Sequence, residues 1–422
     1  MLELPMNSRL HTPFARGMVA RLSLLTFLDG LAQSVSFPVL PRLVSSFLEG
    51  DPAMTALWVG WLEVAWALPQ IFMAPILGAL SDRFGRRPLM LLSMGGVVLE
   101  LLLDALAQNL GWLLAGRFVC GLTFGSQAAV MAGVADTTPP DERARAYGFV
   151  NGAFYAAIVV GPLLGGWLAE ANLRAPFHVG AAVAAVGALY VVSFLPEPLA
   201  PVLRTSSQEP RLGLGEAFRL LGTHPTLRPL AVVLLLSWLS FQSSDNMSVL
   251  YTAHRYGWST VQFGAFVAVE ASLGILVQGL VAGAAARRLG ERRALILGTT
   301  LQGLGMLAMG LAPVAILFWP GALVAVMGAI ARPALQTLMS EAVHADEQGR
   351  LQGIVSSIAS ATSVVAPLVF TSLYAWAIGG DRSPAWAGIT LLCGAALCAL
   401  GAWVAWRTAP RRQAPPPPVS PR

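Results

Sequence analysis

Lysine is absent from this chain, and all 27 basic residues are arginine. Charge of either sign is scarce, at 12% of residues, about half of what an ordinary soluble domain carries. The three cysteines, Cys120, Cys393 and Cys398, all lie inside apolar runs, which implies neither a disulfide framework nor a thiolate metal cluster. The five histidines are scattered near segment ends without zinc-ligand spacing. No GxSxG elbow, Walker A loop or GxGxxG turn occurs, so neither an enzyme nor a bound cofactor or metal is expected. A net charge of +5 in a soluble protein would suggest nucleic acid. Here the arginines sit in short loops between apolar runs, and no nucleic-acid partner is expected.

What is present is apolar. Hydrophobic residues make up 55% of the 422, and the mean hydropathy is +0.65. Many runs approach or exceed 18 residues, enough to cross about 30 Å of hydrocarbon as helices. The reading is an all-α membrane protein with twelve spans near 18–41, 56–79, 88–108, 110–134, 146–169, 175–195, 228–251, 261–284, 293–312, 315–338, 351–377 and 384–406. Residues 1–17 form an N-terminal segment without a cleavable signal pattern. A six-helix half, 18–195, is followed by a polar, proline-rich linker, 196–227, a second half, 228–406, and a tail, 407–422, too polar to fold. Lipid bilayer and a small molecule are the expected partners, and a monomer is the expected state.

Arginine placement sets orientation. With the N-terminus inside, 21 arginines fall in inside loops and tails. Arg42, Arg174, Arg255 and Arg382 fall outside, and Arg117 and Arg332 fall within helices. That bias places both termini in the cytoplasm of a cell (inner or plasma) membrane. The halves also repeat: "GALSDRFGRR" at Gly78 matches "GAAARRLGERR" at Gly283, "DERARAYG" matches "DEQGRLQG", and "VVGPLLGG" matches "VVAPLVFT". All three pairs share an offset of 205 residues. A duplicated bundle with a pathway between its halves is a transporter plan.

The stretch "GALSDRFGRRP" is a charged hinge between spans two and three. Gly78 and Gly85 permit tight turning. Asp82 stands where it can cap or pair with a helix end, and Arg86 and Arg87 can hold lipid phosphates or carboxylates. Such a loop can act as a cytoplasmic gate, although arginines there also serve topology alone. In span five, Gly152, Gly161, Gly165 and Gly166 allow close helix approach, and Pro162 removes a backbone donor.

Six acids lie inside the spans: Asp29, Glu63, Glu100, Asp104, Asp245 and Glu270. Each ionised group there costs about 2.5–3.5 kcal/mol on insertion scales, so each calls for a role. Arg117 is a fixed counter-charge. Asp104 follows Glu100 by one turn on the same face and either shares its proton or sits near the outer surface. Glu63 and Asp245 either line the central cavity or lie near outer helix ends.

The hinge resembles the signature loop of the major facilitator superfamily, and the resemblance runs over nearly the whole chain. "GRFVCGLTFGSQAAVMAGVADTT" resembles its fourth-helix motif and "GAFYAAIVVGPLLGG" its fifth-helix antiporter motif. "YTAHRYGWS" and "PALQTLMS" narrow the resemblance to the drug:proton antiporters, above all the tetracycline efflux proteins. The resemblance implies a twelve-helix fold that alternates between inward- and outward-facing states and exports a drug as protons enter. It implies that Asp29 stands at the family's helix 1 acid and that Gln70, Glu100 and Arg117 stand at positions for substrate or proton handling; Asp104, one turn from Glu100, and Glu270 join Asp29, Glu100 and Arg117 as candidates for proton coupling. Asp29, Glu63, Gln70, Asp245 and Gln302 are the candidate lining of a substrate cavity, of which Glu63 and Asp245 are not expected from the family pattern. Two departures stand out. The family's helix 8 histidine falls on Gly274, with Glu270 one turn away as a replacement, and its helix 9 acid falls on Gln302. Antiport is therefore better supported than tetracycline as substrate. The other readings are a proton symporter or facilitator for a metabolite, and a transporter-like membrane sensor.

Overall fold

The computed structural model describes residues 13–199, 220–245, 247–344, 347–380 and 382–408. Residues 1–12, most of the linker, and the tail from 409 lie outside them. Among the described residues the chain is helical and no strand occurs. The first half runs α1 (Pro13–Ser34), α2 (Leu40–Ser46), α3 (Pro52–Phe84), α4 (Arg86–Leu106), α5 (Leu110–Thr123), α6 (Ser126–Thr137), α7 (Arg143–Ala171) and α8 (Ala175–Phe194). The second runs α9 (Leu227–Asp245), α10 (Ser248–Tyr256), α11 (Thr260–Leu276), α12 (Ala282–Leu289), α13 (Glu291–Leu311), α14 (Ala315–Met327), α15 (Ala331–Glu341), α16 (Gln348–Ile378) and α17 (Ile389–Thr408). Among the described residues, eleven continuous or near-continuous helical stretches are long and apolar enough to cross a membrane. The 22-residue α1, diluted by Arg16, Arg21 and Asp29, supplies the twelfth crossing.

Helix ends follow local chemistry. Asp51 accepts from the backbone N–H groups of Ala53 and Met54 at 2.9 and 3.1 Å, with Pro52 in the first turn, and so starts α3. Asn109 caps α5 in the same way. Gly85 separates α3 from α4 at φ 109° and ψ 164°, and Gly290 separates α12 from α13 at φ 81° and ψ 155°. These two glycines carry the repeat's 205-residue offset and its shared backbone geometry. Arg87 and Arg292 share it too. Arg87 donates to the carbonyls of Val191 and Val192, and Arg292 to that of Trp406, each near the end of its half's last helix. The first span is shorter than its apolar run: α1 stops at Ser34, and turns over 35–39 lead into α2.

Large apolar side chains point outward as well as inward. Leu280 and Ile316 are 72% and 73% exposed, as suits a hydrocarbon surround. Small residues bring the helices close. Gly116 seats α5 on the backbone of Glu100 in α4, and Gly321 seats α14 on Gly305 in α13, again at matching positions. The chain divides into two compact units. The first takes everything through α8 together with Asp245–Ser272 and Ser363–Ile389. The second takes α9 as far as Ser244, then Leu273–Thr362 and the residues from Thr390. Its core is pinned by Ser240, which donates to the Gly394 carbonyl at 2.9 Å and stands 3.0 Å from the Cys398 sulfur.

Candidate functional site

All six membrane acids fall within the first unit: Asp29 on α1, Glu63 on α3, Glu100 and Asp104 on α4, Asp245 as the last residue of α9 and Glu270 on α11. Asp29 is buried at 8% exposure, and the Gln33 side-chain amide donates to its Oδ1 at 2.8 Å from one turn ahead. Glu100 and Asp104 are buried more deeply, at 4% and 2%. Arg117 on α5 reaches Glu100 Oε1 at 3.3 Å. Asp104 Oδ1 and Arg117 Nε are both buried without a hydrogen-bond partner. Gly116 makes the niche: a Cβ there would stand 3.3 Å from Asp104 Oδ1. The structure thus holds two buried carboxylates around one guanidinium. At the 205-residue offset the second half has Gly305, Met309 and Ala322, so this charged trio exists in the first half alone.

The remaining membrane acids are Glu63 on α3, Asp245 at the end of α9 and Glu270 on α11. Glu63 and Asp245 are half-buried, while Glu270 is exposed although it lies within a membrane-length helix. Gly274, one turn on, has nothing within 4 Å of where a Cβ would stand. Gln70 turns back on its own helix and donates to the Trp66 carbonyl at 3.0 Å. Gln302 belongs to the second unit, beside Gly328 at the break between α14 and α15.

At the hinge, Arg86 is the centre of the charge pattern. It reaches Asp82 at 2.5 Å and Asp136, near the end of α6, at 2.9 Å. The start of α4 is capped by Glu197, whose carboxylate accepts from the backbone N–H groups of Arg86 and Arg87 at 2.7 and 3.1 Å. Asp82 therefore pairs with its own loop's arginine, and Glu197 does the capping. Gly85 leaves room for that carboxylate, whereas Gly78 faces open space. Sequence reading singled out neither Asp136 nor Glu197. The available signal was an acid at the end of each adjoining span, in "GVADTT" and "FLPEP".

The glycines of α7 split by partner. Gly161 and Gly165 lie against Ser34 and Val35 at the end of α1, and Ser34 donates to the Ala157 carbonyl at 3.0 Å. Gly166 lies against the Thr260 and Val261 backbone, and Gly264 of α11 lies against Pro162. At Gly152 a Cβ would meet nothing within 4 Å. Arg42 adds a hydrogen bond to Thr260 at 2.7 Å, and Phe37 and Phe263 face each other with ring centroids 6.5 Å apart. Thr371 of α16 likewise abuts Gly60 of α3. Within the first unit these contacts join second-half segments to first-half helices. Gly60 lies near the start of α3 and the hinge at its end, roughly 35 Å away along the helix.

The profile of the Major Facilitator Superfamily matches residues 22–282 and 271–422. The chain is 33% identical to the tetracycline resistance protein, class C, of Escherichia coli over 88% of its own length and 91% of the relative's. It is equally 33% identical to the class E protein of the same organism, over 83% and 86%. Among solved structures, the nucleoside transporter NupG superposes with a TM-score of 0.73 over 94% of this chain and 100% of that one. At 14% identity that likeness speaks for the fold alone.

Proposed function

We propose that this chain, which belongs to the Major Facilitator Superfamily, is a proton-coupled exporter of a small lipophilic compound, tetracycline-like or multidrug, in the inner membrane. The observations that carry the reading are the buried group of Glu100, Asp104 and Arg117 on α4 and α5 and the buried Asp29 on α1. Two carboxylates cannot both stay ionised cheaply beside one guanidinium in a low-dielectric interior, so a proton has a place to bind and leave. The relatives' names supply the cargo class, tetracycline. Glu270 stands exposed next to the side-chain gap at Gly274 and takes a second proton-handling role. Glu63, Gln70, Asp245 and Gln302 are assigned to the substrate cavity.

Alternating access fits the two ends of the first unit. At one end α7 and α11 meet through Gly166 and Gly264, a contact that opens when the carrier faces outward. At the other, the Asp82–Arg86–Asp136 group, formed together with that contact here, serves as the cytoplasmic gate. Both termini and the linker are assigned to the cytoplasm.

The test is flux of tetracycline and of ethidium into inverted proteoliposomes under an imposed pH gradient, with proton flux read in the same vesicles. Wild type should accumulate at least one compound and Asp29→Asn should not, while Asp29→Asn keeps downhill exchange because a neutral side chain of similar size fills the site. Glu270→Gln should also lower the ratio of proton to drug flux. Unchanged coupling in both variants overturns the assignment.

A further inference from the structure

Arg332 is a cation at membrane depth that the coupling scheme does not use. It lies in the Ala315–Glu341 crossing, nine residues before Glu341, or about 14 Å along the helix from that end. The crossing is interrupted just ahead of it by a 3₁₀ turn, Gly328–Ile330. Pro333 explains the break, because it has no N–H to donate to Ala329. Arg332 is exposed, as are Pro333 and Gln336 on the same stretch.

Two rings from α9 flank its guanidinium. The Arg332 Cζ lies 5.5 Å from the Trp238 ring centroid and 5.6 Å from that of Phe241. The rings themselves meet edge to face at 89°, so they form a corner around the cation. Other arginines stack on aromatics here, but at helix ends: Arg83 on Phe84, Arg382 on Trp376 and Arg407 on Trp403. Those positions suit a membrane surface. Arg332 is inside a crossing, where a charge without a counter-charge is costly. Among the described residues no carboxylate lies within 4.0 Å of it. One turn back, Gly328 packs on Gln302, whose side chain is an uncharged amide. A guanidinium cannot shed its charge as a lysine can, so the missing partner has to be an anion from elsewhere.

We infer that Arg332, Trp238 and Phe241 form a substrate subsite for a planar aromatic compound carrying an anionic oxygen group, a carboxylate or an ionised enol. The in-plane N–H edge of the guanidinium takes the oxygens in a forked pair, and the ring faces take the aromatic body. All three residues lie in the second unit. The assignment rests on the export reading above and narrows its cargo to compounds with an acidic group.

The decisive measurement is equilibrium dialysis of the purified full-length protein in detergent against 1-pyrenebutyrate, its methyl ester and 4-(1-pyrenyl)butylammonium. Wild type should bind the carboxylate about tenfold more tightly than the ester, the value of one charge-assisted hydrogen-bonded pair. Arg332→Gln should erase that preference while leaving ester binding unchanged, which also shows that the variant is folded. Arg332→Lys should restore part of it, since the charge remains and the fork is lost. Trp238→Ala should weaken all three pyrenes. Equal binding of carboxylate and ester by wild type, no binding of the carboxylate, or a preference that survives Arg332→Gln overturns the subsite. Tetracycline flux under the pH gradient judges the export reading separately, because the dialysis needs neither gradient nor turnover.

Discussion

Arg117 is the cation of a group with two buried acids, and its loss should be felt first as instability. Glu100 holds the 3.3 Å pair, while Asp104 is left with an unbonded buried oxygen. Arg117→Met removes the only cation of the trio and leaves carboxylates buried without compensation, a change that typically costs about 3–5 kcal/mol. Adding Glu100→Gln should recover much of that loss, because the stranded charge is gone. Thermal unfolding in detergent of the two single variants and the double variant measures this directly; a double variant as unstable as Arg117→Met alone would show that Arg117 acts through packing. The acids and Arg117 were legible in the sequence because charge inside an apolar run is rare. Their grouping was only half legible. The one-turn spacing of Glu100 and Asp104 follows from helix geometry, whereas the pair of Glu100 with Arg117 needs α4 and α5 to be placed in space. Arg332 was visible as a charge within a span, but its aromatic corner comes from another helix and no spacing rule announces it.

At the scale of elements, twelve crossings could be read from apolar runs, and the misread parts have local causes. The first run continues through Val35 and Leu40, yet helix α1 ends at Ser34, where Ser36 and Pro38 interrupt regular bonding and α2 restarts the chain. Helix α3 extends beyond its apolar core because Asp51 and Pro52 start it early and the polar stretch through Phe84 stays helical. The hinge glycines make a sharper test. Gly85 has φ 109°, a region that other residues rarely enter, and its missing Cβ makes room for the Glu197 carboxylate. Gly85→Ala should cost roughly 1–3 kcal/mol and impair export. Gly290→Ala carries the same backbone strain without the crowding and should cost less. Gly78→Ala meets open space and should be tolerated, although Gly78 belongs to the same motif. Melting temperatures ranked in any other order would show that the hinge is held by something other than backbone geometry and the Glu197 cap.

For the whole molecule, the 205-residue repeat was legible because it needs only two matching strings, and the shared geometry of Gly85 and Gly290 and of Arg87 and Arg292 gives it structural form. The division into compact units was not legible: it cuts α11 and α16 partway along, which depends on contacts such as Gly166 with Thr260 and Gly60 with Thr371 between residues far apart in sequence. Orientation belongs to this scale as well, since it is set by the sum of many arginines and by no single one. The 21 arginines assigned inside and the four assigned outside give a bias that the membrane potential and anionic lipid reinforce. It can be read with single cysteines in a background lacking Cys120, Cys393 and Cys398. Gln108→Cys lies in the exposed turn between α4 and α5, which the bias puts outside. Ser206→Cys lies in the linker, which the bias puts inside. A membrane-impermeant maleimide should label Gln108→Cys in intact cells and Ser206→Cys only after permeabilisation. The reverse pattern would put the Arg86 hinge outside, leaving it no cytoplasmic gate to form and inverting the direction in which protons drive the cargo.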